Sequence, residues 1–334
     1  MKQATSRQPV VIILAGLAII AIILAASAPL RASDFAQGSF DRSLKVSGHV
    51  ELEVTTGSGS ITVRSGDAGT VSVHATIRVR DDWSGGNAEE KVRKLESNPP
   101  IVQNGNSIRI GNIEDPELRR NVSISYELVT PAETTLNAKT GSGNQSIEGL
   151  RGAVDAGTGS GALVIRNIGG ELRANSGSGN IELASIGGKV HANTGSGSIR
   201  ANGVAGAFVG DTGSGNVRLQ QTAPGDVKVQ TGSGSVELEN IRGALSVQTG
   251  SGTITAQGEQ TGDWRLEAGS GTINVHLPSQ AAFEISARTR SGSISVEQPV
   301  TVQGTIGRHE LRGKVRGGGA LLDLRTGSGN IRID

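Results

Sequence analysis

The tripeptide Gly-Ser-Gly recurs ten times, beginning at Gly57, Gly141, Gly159, Gly177, Gly195, Gly213, Gly232, Gly250, Gly269 and Gly327. From Gly141 to Gly269 every step is 18 or 19 residues, and Arg290-Ser291-Gly292 supplies a degenerate copy in the late gap. A fixed period of this length constrains the fold more than any other feature, because it makes each unit structurally equivalent to the next. In the unit Gly177–Thr194, Ile181 and Leu183 alternate with Glu182, and Val190 and Ala192 flank His191. Each unit therefore reads as two short strands of period two. One corner is Thr-Gly-Ser-Gly and the other is the glycine-rich Gly187-Gly188. Glycine suits both, since it reaches positive φ without penalty and lets backbones approach closely.

Two strands of this length cannot bury an inner face alone. Stacking unit on unit, each strand parallel to its copy one coil away, solves the problem. Two continuous apolar columns then form. One runs Leu163, Ile181, Ile199, Val217, Val236, Ile254, Ile273, and the other Val154, Leu172, Val190, Phe208, Val227, Leu245, Trp264. The expected fold is all-β: a single-stack parallel β-solenoid, a flattened β-helix with two short strands per coil of about 18 residues. At about 4.8 Å per coil, ten coils would span on the order of 50 Å. A meander of antiparallel hairpins is the alternative, and units of near-constant length favour stacking. Composition agrees. Glycine supplies 50 of 334 residues, while Phe, Trp and Tyr together supply few, as a thin core between close sheets requires. Phe208, Trp264 and Phe283 fall in inward positions.

Three polar columns accompany the core. The corner serines (Ser142 to Ser270) and the threonines before them offer hydroxyls to turn N–H and C=O groups. Asn175, Asn193, Asp211, Gln230 and Gln248 form a candidate amide ladder. Glu182, Arg200, Arg218 and Glu237 place opposite charges on neighbouring strands, a contribution of roughly 0.2–1 kcal/mol per pair.

Outside the regular period, residues 1–32 read as a signal peptide or a signal-anchor transmembrane helix. Residues 10–28 carry no charge, Lys2 and Arg7 precede them, and Arg31 follows. That length suffices to cross a bilayer, and the basic flank keeps the N-terminus inside, so the remainder is expected to be exported. Residues 33–135 form an N-terminal β region with a helical insertion over 87–98, expected to cap the first coil against edge pairing. Asn87 and Glu90 suggest a capping box, Asn98-Pro99-Pro100 a stop, and Asn104-Gly105 a hairpin. Trp83 is assigned beneath that helix in preference to a ligand. Residues 136–334 are the regular TGSG solenoid, with the segment from Arg308 to Arg325 as a C-terminal cap or side hairpin.

Charge and composition exclude several classes. With no cysteine there is no disulfide scaffold, thiol catalyst or lipobox. Thirty-two basic against 31 acidic residues give no basic excess for nucleic acid. The five histidines (His49, His74, His191, His276, His309) have no ligand spacing, and no metal or cofactor is expected. Glu237 and Glu239, two apart on one strand, could meet the roughly 5–9.5 Å that glycoside hydrolysis needs, but a solvated strand face is the preferred reading. Gly-Ser-Gly without a following Gly-Lys-Ser/Thr is not a phosphate loop.

The export segment, the opening from Ser39 to Val63, the stretch Tyr126–Pro131 and the TGSG coils resemble the bacterial putative adhesin family over nearly all of residues 40–334. That resemblance implies a β-solenoid-like domain of unknown function, exported, surface-located and without known catalytic residues. No site residues carry over. The leading expectation is a non-enzymatic, monomeric scaffold of the cell envelope for adhesion or multivalent contact with a surface glycan or protein, held to the membrane through residues 10–28 if these are uncleaved. An envelope signalling accessory and a carbohydrate-binding or carbohydrate-active solenoid are the alternatives.

Overall fold

A computed structural model describes residues 35–80, 87–302 and 307–334. The apolar stretch 10–28 and Trp83 lie outside them. Among the described residues, no helix is long and apolar enough to cross a membrane.

The alternating pattern becomes two sheets, of 14 and 15 strands, in which each regular coil places one strand in each. Pairing between coils is parallel and follows the repeat. Leu172 lies between Val154 and Val190, and Ile181 between Leu163 and Ile199. Both expected apolar columns run through the middle in this way, and their side chains fill the space between the sheets. Trp264, Phe208 and Phe283 are fully buried there.

Of the two reasons the sequence offered for the corner glycines, close approach is the recurring one. Gly177 has no unusual φ; a Cβ on it would sit 2.3 Å from the carbonyl oxygen of Gly159 in the preceding coil. The recurring cause is thus close approach of stacked backbones, at a separation real Cβ atoms do not tolerate. Left-handed residues sit at the other corner, at Asn167 (φ 55°), Ser185 (φ 57°), Gly203 (φ 74°) and Asn240 (φ 59°). Asparagine tolerates this region because its short polar side chain bonds locally. In the later coils the last glycine of the Gly-Ser-Gly corner also takes positive φ, at Gly252, Gly271, Gly292 and Gly329 (φ 147–153°).

The hydroxyl column also differs. The corner serines are exposed, and the buried threonine before them makes the bonds. Thr194 donates to the carbonyl of Gly179 in the preceding corner (2.9 Å) and accepts from Gly197 N–H in its own (3.2 Å). The pattern repeats at Thr158 and Thr212. The side-chain ladder runs through the residue after Gly-Ser-Gly rather than the one before: Asn144 accepts from Ala162 N–H, Asn180 from Ser198, and Asn216 from Ser235, at 2.8–2.9 Å. Two glutamines enter the core. Gln145 occupies the inward column below Leu163 and donates to the carbonyls of Ala138 and Gly157.

At the N-terminal end the chain forms β1 (Phe35–Lys45), β2 (Val50–Thr56), β3 (Ile61–Gly66) and β4 (Thr70–Arg80). Helix α1 (Ala88–Ser97), β5 (Ile101–Asn104) and β6 (Ser107–Ile110) follow, then α2 (Pro116–Arg119) and β7 (Val122–Pro131). The coil made of β2 and β3 stacks directly on Thr134–Thr140 and Gln145–Glu148, so residues 67–131 are an excursion from it. Within that excursion β7 joins β3 in parallel, and β4 and then β1 add antiparallel strands beyond it. The 15-stranded sheet ends sooner, at the β5–β6 hairpin. There α1 takes over as cover, burying Ala88, Val92 and Leu95. A Cβ on Gly38 of β1 would lie 2.3 Å from Val92 Cγ1, so that glycine lets the helix seat. The capping box does not form: Asn87 makes no side-chain cap bond, and Glu90 pairs with Lys94 at 2.8 Å.

The C-terminal end departs furthest from sequence order. The coil after Trp264–Ser270 and Ile273–His276 is not the next in the chain but the last, Ala320–Ser328 and Ile331–Ile333. Phe283–Ser291 and Ile294–Val296 lie outside it. Glu310–Val315 then adds an antiparallel strand on that outer coil, with the two-residue Val300–Thr301 beyond. The segment expected as a cap, Arg308 to Arg325, is divided: Glu310–Val315 lies on the outer coil, whereas residues 320–325 belong to the inserted one. Buried Asp323 holds the inserted strand, paired with Arg325 at 2.9 Å and Arg265 at 3.4 Å.

Candidate functional site

The two faces of the solenoid present repeating outward columns. Arg173, His191, Val209, Lys228, Ser246 and Arg265 follow one another in register, and so do Asn175, Asn193, Asp211, Gln230, Gln248 and Glu267. The second column, with the adjoining corners, lines a shallow depression of about 450 Å³. Of the two opposite-charge pairs read from sequence, Arg218–Glu237 closes as an ion pair.

The candidate carboxylate pair is committed elsewhere. Glu237 accepts from Arg218, and Glu239 from Gln220 (3.3 Å). The histidines stay apart. His74 pairs with Asp41 at 2.8 Å, His49 with Thr135 at 3.1 Å, His276 with Asp334, and His309 with the Gly292 carbonyl. Among the described residues, no group of three or more metal-ligating side chains exists.

A deeper feature lies at the N-terminal end, in a region the sequence reading treated as a cap. The excursion after β3 folds back over the first corner and leaves a cleft of about 850 Å³. Arg78 and Arg80 reach it from the end of β4, Arg119 from α2, and Lys139 from Thr134–Thr140. Among the described residues, no carboxylate lines it. Asp115, on the same segment as α2, caps that helix instead, accepting from Glu117 N–H at 2.9 Å. Among the described residues, none of the four cations has an acidic partner within 4.0 Å; Arg80 stacks its guanidinium 5.3 Å from the ring centre of Phe35. Tyr126 of β7 and Gly111 also line the wall. The Tyr126 hydroxyl is buried without a hydrogen-bond partner, and burial pushes its pKa well above the ordinary phenol value. It stays neutral and leaves the cleft cationic.

The cleft is assembled from six separate stretches between Phe35 and Gly141, so no local motif announces it. Nor does the spacing of charges, since Asp82 and Glu117 each stand two places from Arg80 and Arg119.

A stack of parallel two-strand coils around a thin aliphatic core defines a parallel β-solenoid. The Toastrack DUF4097 family model matches residues 51–334, and the chain belongs to that family. It is similar to a solved putative adhesin from Parabacteroides distasonis, at 12% identity over 89% of this chain and 97% of that one, with a TM-score of 0.43. A putative lipid binding protein from the same organism is 14% identical over the same shares, with a TM-score of 0.38. A putative adhesin from Bacteroides fragilis is 12% identical, again over 89% and 97%, with a TM-score of 0.33. No curated protein matches.

Proposed function

We propose that this protein is an exported, non-enzymatic component of the cell envelope, a monomeric scaffold that presents its solenoid faces for adhesion or multivalent contact with a surface glycan or protein. One observation carries the reading: chemically similar outward residues recur at one-coil spacing, in unbroken parallel register along a sheet. Such an array gives many weak, evenly spaced contacts whose combined strength rises with their number. The charge-free stretch 10–28 with its basic flank supports export, and membrane attachment if it is retained.

The test removes whole coils. Deleting residues 177–212 joins Ser176 to Gly213 and preserves the repeat. Binding of the full chain and of this shortened form to intact cells and to a glycan array should both be saturable. The shortened form should lose affinity by more than the fraction of coils removed. Equal affinity would point to a single site and defeat the multivalent reading. Recovery of the full chain in a cytoplasmic fraction would defeat export.

A further inference from the structure

The N-terminal cleft is a different kind of surface from the repeating faces. Among the repeating columns, Glu182, Arg200, Arg218 and Glu237 mix signs, whereas the cleft gathers Arg78, Arg80, Arg119 and Lys139 around about 850 Å³ with no carboxylate in its lining among the described residues. Like charges held together without counter-charge raise the free energy of the folded state, so a group that neutralises them stabilises it. Elsewhere in the fold, exposed cations are repeatedly paired: Arg151 with Glu133, Arg288 with Glu310, Lys314 with Glu284, Arg332 with Glu297. The cleft cations have no such partner among the described residues, and the fold brings them to one cleft from three elements, β4, α2 and the strand Thr134–Thr140.

We propose that this cleft is a binding site for a phosphate-bearing ligand. Three features favour phosphate over a carboxylate. A phosphomonoester carries a charge of about −1.5 to −2 near neutrality, closer to the cationic count than a single carboxylate. The guanidinium fork matches two phosphate oxygens at once. Ser58 and Ser123 add hydroxyl groups to the same wall, while the Thr55 and Thr56 hydroxyls are engaged with the carbonyls of Ile110 and Ile124. The volume falls within the roughly 300–1,000 Å³ of ordinary ligand sites, so it admits a phosphorylated small molecule or a lipid headgroup as well as the bare ion.

The test uses the full chain in an uncharged maltoside detergent, with titration calorimetry at fixed ionic strength. The probes are inorganic phosphate, glycerol 3-phosphate, dihexanoyl phosphatidic acid and acetate. Saturable binding of at least one phosphate-bearing probe, at about millimolar affinity or tighter, is expected. Arg78→Gln, Arg119→Gln and Lys139→Gln should each weaken it about tenfold, the loss of one charge-assisted hydrogen bond. Arg200→Gln, which removes the same charge from the outer solenoid face, should leave it unchanged. A rise in the thermal midpoint of the unmutated chain with the same probe gives a readout that needs no variant. Preference for phosphatidic acid over glycerol 3-phosphate and phosphate assigns the source to a lipid headgroup; the reverse order assigns it to a soluble phosphate. Binding of acetate as tight as phosphate, an equal loss on Arg200→Gln, or no saturable binding of any phosphate-bearing probe overturns the proposal. None of these outcomes depends on cell or glycan binding by the solenoid faces.

Discussion

The same hydrogen bond is made in the middle of the solenoid and at both ends, but not over the same stretch of chain. Thr158 donates to Gly143 O at 2.9 Å across 15 residues. At the N-terminal end Thr140 donates to Gly59 O, also at 2.9 Å, across 81. At the C-terminal end the equivalent bonds of Thr326 and Thr289 span 55 and 40 residues, again at 2.9 Å. Geometry is therefore uniform while topology is not. The middle is built from neighbours in sequence, and the ends are closed by segments that return from a distance. The lesson is that the stacking interface is generic: any coil edge can receive any other coil. What differs is the entropy of bringing it there, because longer loops close at greater cost and more slowly.

The largest test of this contrast is removal of the returning C-terminal coil. Truncation after Gly319 takes away Leu322, Leu324, Ile331 and Ile333, all fully buried. At about 1.5–3 kcal/mol for each side chain, the loss amounts to roughly 6–12 kcal/mol. It also strips the outer coil, Phe283–Ser291 and Ile294–Val296, of its partner. Limited proteolysis should then cut within 277–319 while residues 134–276 resist. Uniform resistance, with an unchanged thermal midpoint, would show that the inserted coil is dispensable.

A smaller effect separates equivalent glycines. Gly177 and Gly57 hold the same place in the repeat. A Cβ at Gly177 meets Gly159 O, whereas one at Gly57 has nothing within 4 Å. Gly177→Ala should cost about 3 kcal/mol as an overpacked contact against backbone. Gly57→Ala should stay within about 0.5 kcal/mol. Denaturant midpoints read both, and similar costs would mean that glycine is required for something other than stacking.

The smallest effect sharpens the comparison through kinetics. Thr194→Val and Thr140→Val each leave a buried carbonyl and N–H without their hydroxyl partner, at about 1–3 kcal/mol in either case. If the middle coils assemble first, Thr194→Val should slow folding and Thr140→Val should chiefly speed unfolding. Stopped-flow refolding and unfolding of the two variants give the answer, and identical kinetic signatures would erase the distinction between middle and end.

Much of the fold is written in the repeat. The period of Gly-Ser-Gly gave the coil, and the alternation around Ile181 and Val190 gave the strands and the inward columns down to Trp264. It did not reveal which hydroxyl bonds, because a threonine and the serine two places on share one chemistry and differ only in which side of the corner they face. Nor did it place the left-handed corner at Ser185, which a glycine pair two residues later disguised. The basic cleft was illegible for a further reason: Arg78, Arg119 and Lys139 are unremarkable in their own strands and helix, and meet only after the excursion folds back.

By itself, then, the sequence determined the unit and its register, since a short-range period fixes what each residue faces within its own coil. The tertiary structure alone decided the order of coils at the two ends and the convergence of cations in the cleft. The physical reason is the equivalence of coil edges. Because every edge offers the same backbone donors and acceptors, local pattern cannot specify which distant coil will cover it. The choice falls to the packing of the whole: α1 seated against Gly38 at one end, and Asp323 clasped by Arg265 and Arg325 at the other.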